Sequence, residues 1–264
     1  MPSSATLRVQ IEHALECRFP AALTPAARTI LEVANTGIDE VDALLDGGLP
    51  VGAISELTGP ESSGRTNLAL SFIAQRTATE QVCAWVDAYD AFDPESAAAC
   101  GVNLQRVLWV RCRNSPASNR AAASATSFVA KNKPWTRLDQ ALRATDLLLQ
   151  AGGFAAIVLD LGDTAPEHGS RISLATWFRF RQAADRTRSS VLVLGKAAYA
   201  QSSAAVVLQC ASLYAQTAGD AVLRGFTFEV QKGRQRFSLV MNGARKPPAS
   251  MWSASVPWEA ERRA

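Results

Sequence analysis

The residues Gly59-Pro60-Glu61-Ser62-Ser63-Gly64-Arg65-Thr66 constrain this chain more than any other stretch. They follow an apolar β-type run, Ala53 to Leu57, and precede a helical one, Leu68 to Gln75. Their form is GxxxxGK[ST] with arginine in the lysine position. In such a loop the glycines let backbone N–H groups curl round phosphate oxygens at a helix N-terminus, the lysine neutralises the terminal phosphates, and the threonine reaches Mg²⁺. Strand, loop and helix stand here in the order the motif requires. Gly59, Ser62, Ser63, Gly64, Arg65, Thr66 and Asn67 are the residues this pattern assigns to a nucleotide.

The rest of the chain repeats the alternation. Apolar runs of strand length occur at Cys83 to Val86, Val107 to Val110, Ala155 to Leu159 and Ser190 to Leu194, with helical stretches around Pro94 to Cys100, Leu138 to Gln150 and Leu174 to Arg186 between them. Wholly apolar strands alternating with helices predict an α/β fold, a mostly parallel sheet covered on both faces. Ahead of it comes the apolar run Ile30 to Val33. Thr36, three residues before Asp39, reads as a capping-box start for a helix through Val41, Leu44 and Leu45 that Gly47 and Gly48 stop. Phe226 to Val230 and Phe237 to Met241, separated by Lys232, Gly233, Arg234 and Arg236, predict a hairpin-like finish.

Composition excludes several classes. A chain of 264 residues with 48% hydrophobic and 19% charged residues has a globular core to bury. No apolar run reaches the ~18 residues of a membrane helix, and the first residues lack the apolar core of a secretory leader. A cytoplasmic protein is expected, nucleoid-associated where it binds DNA. Cys17, Cys83, Cys100, Cys112 and Cys210 form no CxxC pair and only two histidines accompany them, so reduced thiols and no metal centre are expected. A net charge of +3 permits a nucleic-acid partner without demanding one.

Three segments stand apart from the core, placed at residues 35–245. In the N-terminal part, 1–34, Leu7, Ile11, Leu15 and Phe19 recur at four-residue spacing, the pattern of an amphipathic helix that caps its own domain or docks on a neighbour. Residues 111–137 carry Arg111, Arg113, Arg120, Lys131, Lys133 and Arg137 with no acidic residue, and read as an exposed, mobile insertion. The stretch 246–264 reads as a flexible tail whose Trp252 and Trp258 either dock on a partner or pack back on the sheet. Basic candidates for DNA phosphates are Arg120, Lys131, Lys133, Lys196, Lys232 and Arg234.

The run from Asn35 to Leu70 strongly resembles bacterial RecA, whose family has a Gly-Gly-Leu-Pro turn, a strand and then Gly-Pro-Glu-Ser-Ser-Gly-Lys-Thr. The resemblance extends to Cys83 to Val102 and Ala155 to Pro166, and covers about Leu7 to Leu194 in all. It implies a RecA-like core and makes Asp160 the Walker B carboxylate of the Mg²⁺ shell. It gives the segment His13 to Phe19 the look of the one that packs on the adjacent subunit in RecA. No counterpart of RecA's separate C-terminal domain is expected.

The departures fall on the chemistry. Arg65 keeps the charge of the lysine but brings a longer, planar fork. Tyr89 aligns with the acidic residue that activates water in the family, and a phenol of pKa ~10 is no general base at neutral pH. Asp87 and Asp90, its neighbours, are expected to face away. Gly195-Lys196 replaces the family's sensor glutamine, leaving Lys196 to contact a phosphate or to stand solvated. The DNA-gripping loops are short, and the glycine-rich second one is missing.

A RecA-like chain altered in this way is similar to the ImuA family, which accompanies ImuB and the DnaE2 polymerase in damage-induced mutagenesis. The resemblance implies an adaptor in translesion synthesis with RecA, ImuB, the DnaE2 machinery and DNA as partners, and ATP or ADP with Mg²⁺ bound but not efficiently hydrolysed. A weak DNA-dependent ATPase and a DNA-binding protein using the basic insertion are the alternatives.

Overall fold

The computed structural model describes residues 32–113, 136–162, 164–218, 222–235 and 249–255. The chain divides into two units, residues 1–30 and 31–264, and every described residue lies in the second. Leu7, Ile11, Leu15, Phe19, Arg120, Lys131, Lys133 and Trp258 lie outside the described residues, as does the run Phe237 to Met241.

The elements follow in the order β1 (Val33–Ala34), α1 (Asp39–Leu44), β2 (Leu49–Pro50), β3 (Ile54–Thr58), α2 (Arg65–Ala78), β4 (Cys83–Asp87), α3 (Pro94–Ala99) and β5 (Val107–Arg111). Then come α4 (Arg137–Ala151), β6 (Ala156–Asp160), α5 (Pro166–Gly169), α6 (Leu174–Thr187), β7 (Ser190–Gly195), β8 (Ala204–Ala218), β9 (Val222–Gln235) and β10 (Ala249–Ser255). The main sheet runs β10-β9-β8-β3-β7-β6-β4-β5. From β8 to β5 all pairings are parallel, and β9 and β10 extend the sheet antiparallel beyond β8.

The parallel strands are buried on both faces because their residues alternate between two cores. Leu57, Trp85, Val158, Leu192 and Leu194 meet Leu68, Phe72 and Ile73 of α2. Ile54, Val86, Ile157, Leu159, Val191 and Val193 meet Leu149 of α4 and Trp177 and Phe180 of α6. Trp85, Trp177, Phe72 and Phe180 are fully buried. The register places the site: Thr58 pairs with Gly195, Leu194 with Asp160, and Asp160 with Asp87. The strands β3, β7, β6 and β4 thus end level with one another, beside the loop that enters α2.

Several expectations change. Lys232 to Gln235 form no turn, because β9 runs straight through them and pairs with β8 as far as Gln235 opposite Val206. Residues 249–255 are no flexible tail; they form β10, with Trp252 opposite Phe228. At α1 the N-cap is Ile38, without a side-chain cap. Asp42 instead reaches back and accepts the Thr36 N–H at 2.9 Å. The basic segment is also shorter than its composition suggests: Arg111 closes β5, and Thr136 and Asp139 form a capping box that starts α4 at Arg137.

Candidate functional site: a phosphate cradle at the strand ends

β3 ends at Thr58, whose hydroxyl donates to the Leu208 carbonyl at 3.0 Å. The chain then turns through Gly59, whose N–H donates to the Gly195 carbonyl at 3.2 Å. Side chains are excluded at two points of the turn. A Cβ at Gly59 would stand 2.2 Å from the Cys210 carbonyl oxygen. Gly64 has φ +85 and caps α2 from the left-handed region, and a Cβ there would stand 2.8 Å from the Phe228 ring. Ser62 also takes a positive φ, 58°.

The 14-residue helix α2 starts at this turn with no side chain capping its first N–H groups and no acidic residue in its first turn. Free N–H groups at the positive end of a helix form an anion site. Ser63 is 1% exposed and its hydroxyl has no partner among the described residues. Arg65 is 9% exposed and its Nη1 likewise lacks an acceptor. Buried donors of this kind are satisfied in native proteins by ordered water, an ion or a ligand. A cavity of about 260 Å³ opens here, lined by Ser62, Ser63, Gly64, Arg65, Thr66, Phe226 and Phe228. Asn67 is turned elsewhere: its side-chain oxygen accepts the Trp252 indole N–H at 3.3 Å.

Around the cradle the acidic residues are engaged. The Asp160 Oδ1 accepts the Gly162 N–H at 2.9 Å, and Asp160 is 8% exposed. Asp87 is fully buried and accepts N–H groups from Tyr89 (3.2 Å), Ala91 (3.0 Å), Phe92 (2.9 Å) and the Trp109 indole (3.2 Å). Asp90 forms a two-pronged pair with Arg111 at 2.6 Å, and the guanidinium holds its carboxyl below the usual range. Glu61, on the loop itself, pairs with Lys196 at 2.9 Å, a hydrogen bond that lowers its pKa. Tyr89 is half-buried; its hydroxyl accepts from Thr164 Oγ1 at 3.4 Å and its ring lies 5.8 Å from the Arg137 guanidinium carbon.

The basic candidates are partly accounted for. Lys196 is tied to the loop through Glu61, Lys232 Nζ donates to the Leu44 carbonyl at 3.3 Å, and Arg234 donates to the Gln201 carbonyl. Burial pushes the thiols of Cys83 and Cys210 up to about 12 and that of Cys112 to about 11. They stay protonated at neutral pH and are poor metal ligands. The described residues hold no group of three or more His, Cys, Asp or Glu side chains placed to bind a metal. None of their helices is long and apolar enough to cross a membrane.

Two features of the site escape a reading of the motif alone. Phe226 and Phe228 stack at 6.0 Å between ring centroids, and Phe228 lies 5.1 Å from Trp252, so β9 and β10 wall the cradle with aromatic rings. Nothing local in the sequence pairs Gly64 with Phe228. Tyr199, in the loop after Val193-Leu194, fills the space left by Gly169 and Gly195, where a Cβ would stand 2.3 Å and 2.6 Å from its ring.

A mostly parallel sheet, with a glycine-bounded turn of phosphate-loop form between its β3 and α2 and Asp160 at the next strand but one, has the architecture of the RecA-like superfamily, and sequence comparison supports that class. In sequence the chain is similar to RecA proteins, and in fold to a recombinase. Residues 9–119 match the RecA N-terminal domain. Protein RecA of Crocosphaera subtropica is 46% identical over 86 residues, 33% of this chain and 25% of its own length. Protein RecA of Chloroflexus aurantiacus is 29% identical over 186 residues, 65% of this chain and 46% of its own length. The crystal structure of the RadB recombinase superposes with a TM-score of 0.54 at 18% identity, covering 84% of this chain and 94% of that one, a likeness of fold. The matches thus span less than half the length of these curated RecA relatives.

Proposed function

We propose that this protein is a RecA-like adaptor of damage-induced translesion synthesis, of the ImuA kind, which holds a nucleotide at the cradle without hydrolysing it efficiently. The observation that carries the reading is the engagement of the groups nearest the water-activating position. Asp87 is consumed by four N–H donors, Asp90 by Arg111, and Tyr89 presents a phenol. A general base needs a free lone pair within hydrogen-bond reach of the attacking water and a pKa near the working pH. The cradle itself keeps its orphan donors, so binding outlives turnover in this account. With chemistry set aside, the RecA-like surface serves to engage RecA, ImuB and through them the DnaE2 polymerase.

Co-purification tests the adaptor role. Tagged full-length chain is expected to retain purified RecA and ImuB, and deletion of Met1 to Phe19 is expected to release RecA. Retention of neither protein by the full chain contradicts the adaptor reading.

A further inference from the structure

The cavity at the start of α2 has two unlike walls. One is polar and runs from Ser62 to Thr66, with the unpartnered Ser63 hydroxyl and Arg65 Nη1 among its buried donors. The other is made of Phe226 and Phe228 from β9. Inorganic phosphate or a bare polyphosphate uses the first wall alone. A ligand that fits both carries a flat apolar ring as well as phosphate, since binding pockets combine an apolar lining with a few placed polar groups.

Phe226 is the ring left open. Phe228 is 6% exposed and lies against Gly64, whereas Phe226, two residues earlier and on the same face of β9, is 36% exposed. Its cross-strand neighbours are Ala215 on β8 and Ala254 on β10, directly opposite it and too small to cover a phenyl ring. The ring is nonetheless held in place. Phe226 stacks on Phe228 with 29° between their planes, Phe228 packs on Trp252, and Trp252 donates to Asn67 in the first turn of α2. This ladder ties the open ring to the same helix turn that carries the phosphate donors, so little side-chain freedom is lost when a ligand binds.

We infer that Phe226 is the platform on which the base of the bound nucleotide stacks, so that the cavity selects a nucleoside polyphosphate over phosphate alone. The inference rests on the nucleotide-binding reading above and adds the residue that recognises the base. Stacking on a phenyl ring is favourable for any base, because each has a π-face, and loss of such a ring lowers affinity on the order of tenfold.

The test is isothermal titration calorimetry of the full chain with ATP and with inorganic tripolyphosphate in the same Mg²⁺ buffer. Wild type, Phe226→Ala, Phe226→Leu and Phe226→Tyr are compared, each checked for folding by circular dichroism. The wild type is expected to bind ATP about tenfold or more tightly than tripolyphosphate. Phe226→Ala, and Phe226→Leu, which keeps apolar bulk on β9 without a π-face, are expected to lose about tenfold for ATP and nothing for tripolyphosphate. Phe226→Tyr is expected to keep the ATP affinity. Unchanged ATP affinity in the alanine and leucine variants, an equal loss for both ligands, or equal wild-type affinity for the two overturns the platform while leaving nucleotide binding intact. Absence of ATP binding by the wild type overturns both.

Discussion

The indole N–H of Trp252 donates to the side-chain oxygen of Asn67 at 3.3 Å, tying the last described strand to the first turn of the helix that carries the phosphate cradle. The bond joins residues 185 positions apart. The neighbouring rings complete the wall: Trp252 is 4% exposed and sits against Phe228, which itself crowds Gly64.

Removing that ring is expected to be costly. Trp252→Ala empties a buried site and should lose about 3–5 kcal/mol, read as a lower urea midpoint with unchanged slope. Trp252→Phe keeps most of the packing and should lose only about 1 kcal/mol, the size of one hydrogen bond. Equal losses from the two variants would show that the ring does not pack here as described.

Asp87 is expected to behave as a structural anchor. Asp87→Ala strands three backbone N–H groups and the Trp109 indole, each worth about 1–3 kcal/mol when left unsatisfied. Asp90→Ala removes only a surface ion pair with Arg111, which solvent screens, and should be far milder. Denaturation of the two variants side by side checks the order, and a milder effect for Asp87→Ala than for Asp90→Ala would contradict it.

Glu56 makes folding depend on pH. It is fully buried on β3, where Oε1 accepts the Tyr199 and Ala200 N–H groups at 2.6 and 2.8 Å. Burial raises its carboxyl above the usual range, outweighing those two N–H groups and the nearby Arg234, which lower it. A folded-state pKa above the unfolded one contributes stability that is fully present below the unfolded pKa, ~4.3, and is lost as pH rises through the folded value. Glu56→Gln does not titrate, so its melting temperature relative to wild type should climb between acid and neutral pH. Each kcal/mol should appear as about 2–4 °C in a chain of this size. A difference that stays constant with pH would remove Glu56 from the account.

Much of the architecture was legible because the parallel strands are short, wholly apolar and punctuated by helices with their own periodicity. β4 to β7 fall where Cys83 to Val86, Val107 to Val110, Ala155 to Leu159 and Ser190 to Leu194 put them. The antiparallel end was harder. β8 continues to Ala218 and β9 to Gln235 through polar and charged residues, because a ribbon exposed along one face needs no apolar run to hold its ladder. Lys232, Gly233 and Arg234 have turn composition, yet Lys232 pairs with Leu208 and Arg234 with Val207. At the site, Ser62, Ser63, Gly64, Arg65 and Thr66, which the motif names, line the cavity, while Asn67 bonds to Trp252 instead. The anchoring of Asp87 and the aromatic wall were not legible, since both depend on partners brought together only by the fold.

The cradle is expected to bind nucleotide and not to turn it over. The most direct measurement is an equilibrium ATP-binding titration run on the same sample as a steady-state hydrolysis assay, with and without single-stranded DNA. Saturable binding with phosphate release at the no-protein background is the expected result. Turnover well above background that disappears in Asp160→Ala would contradict it.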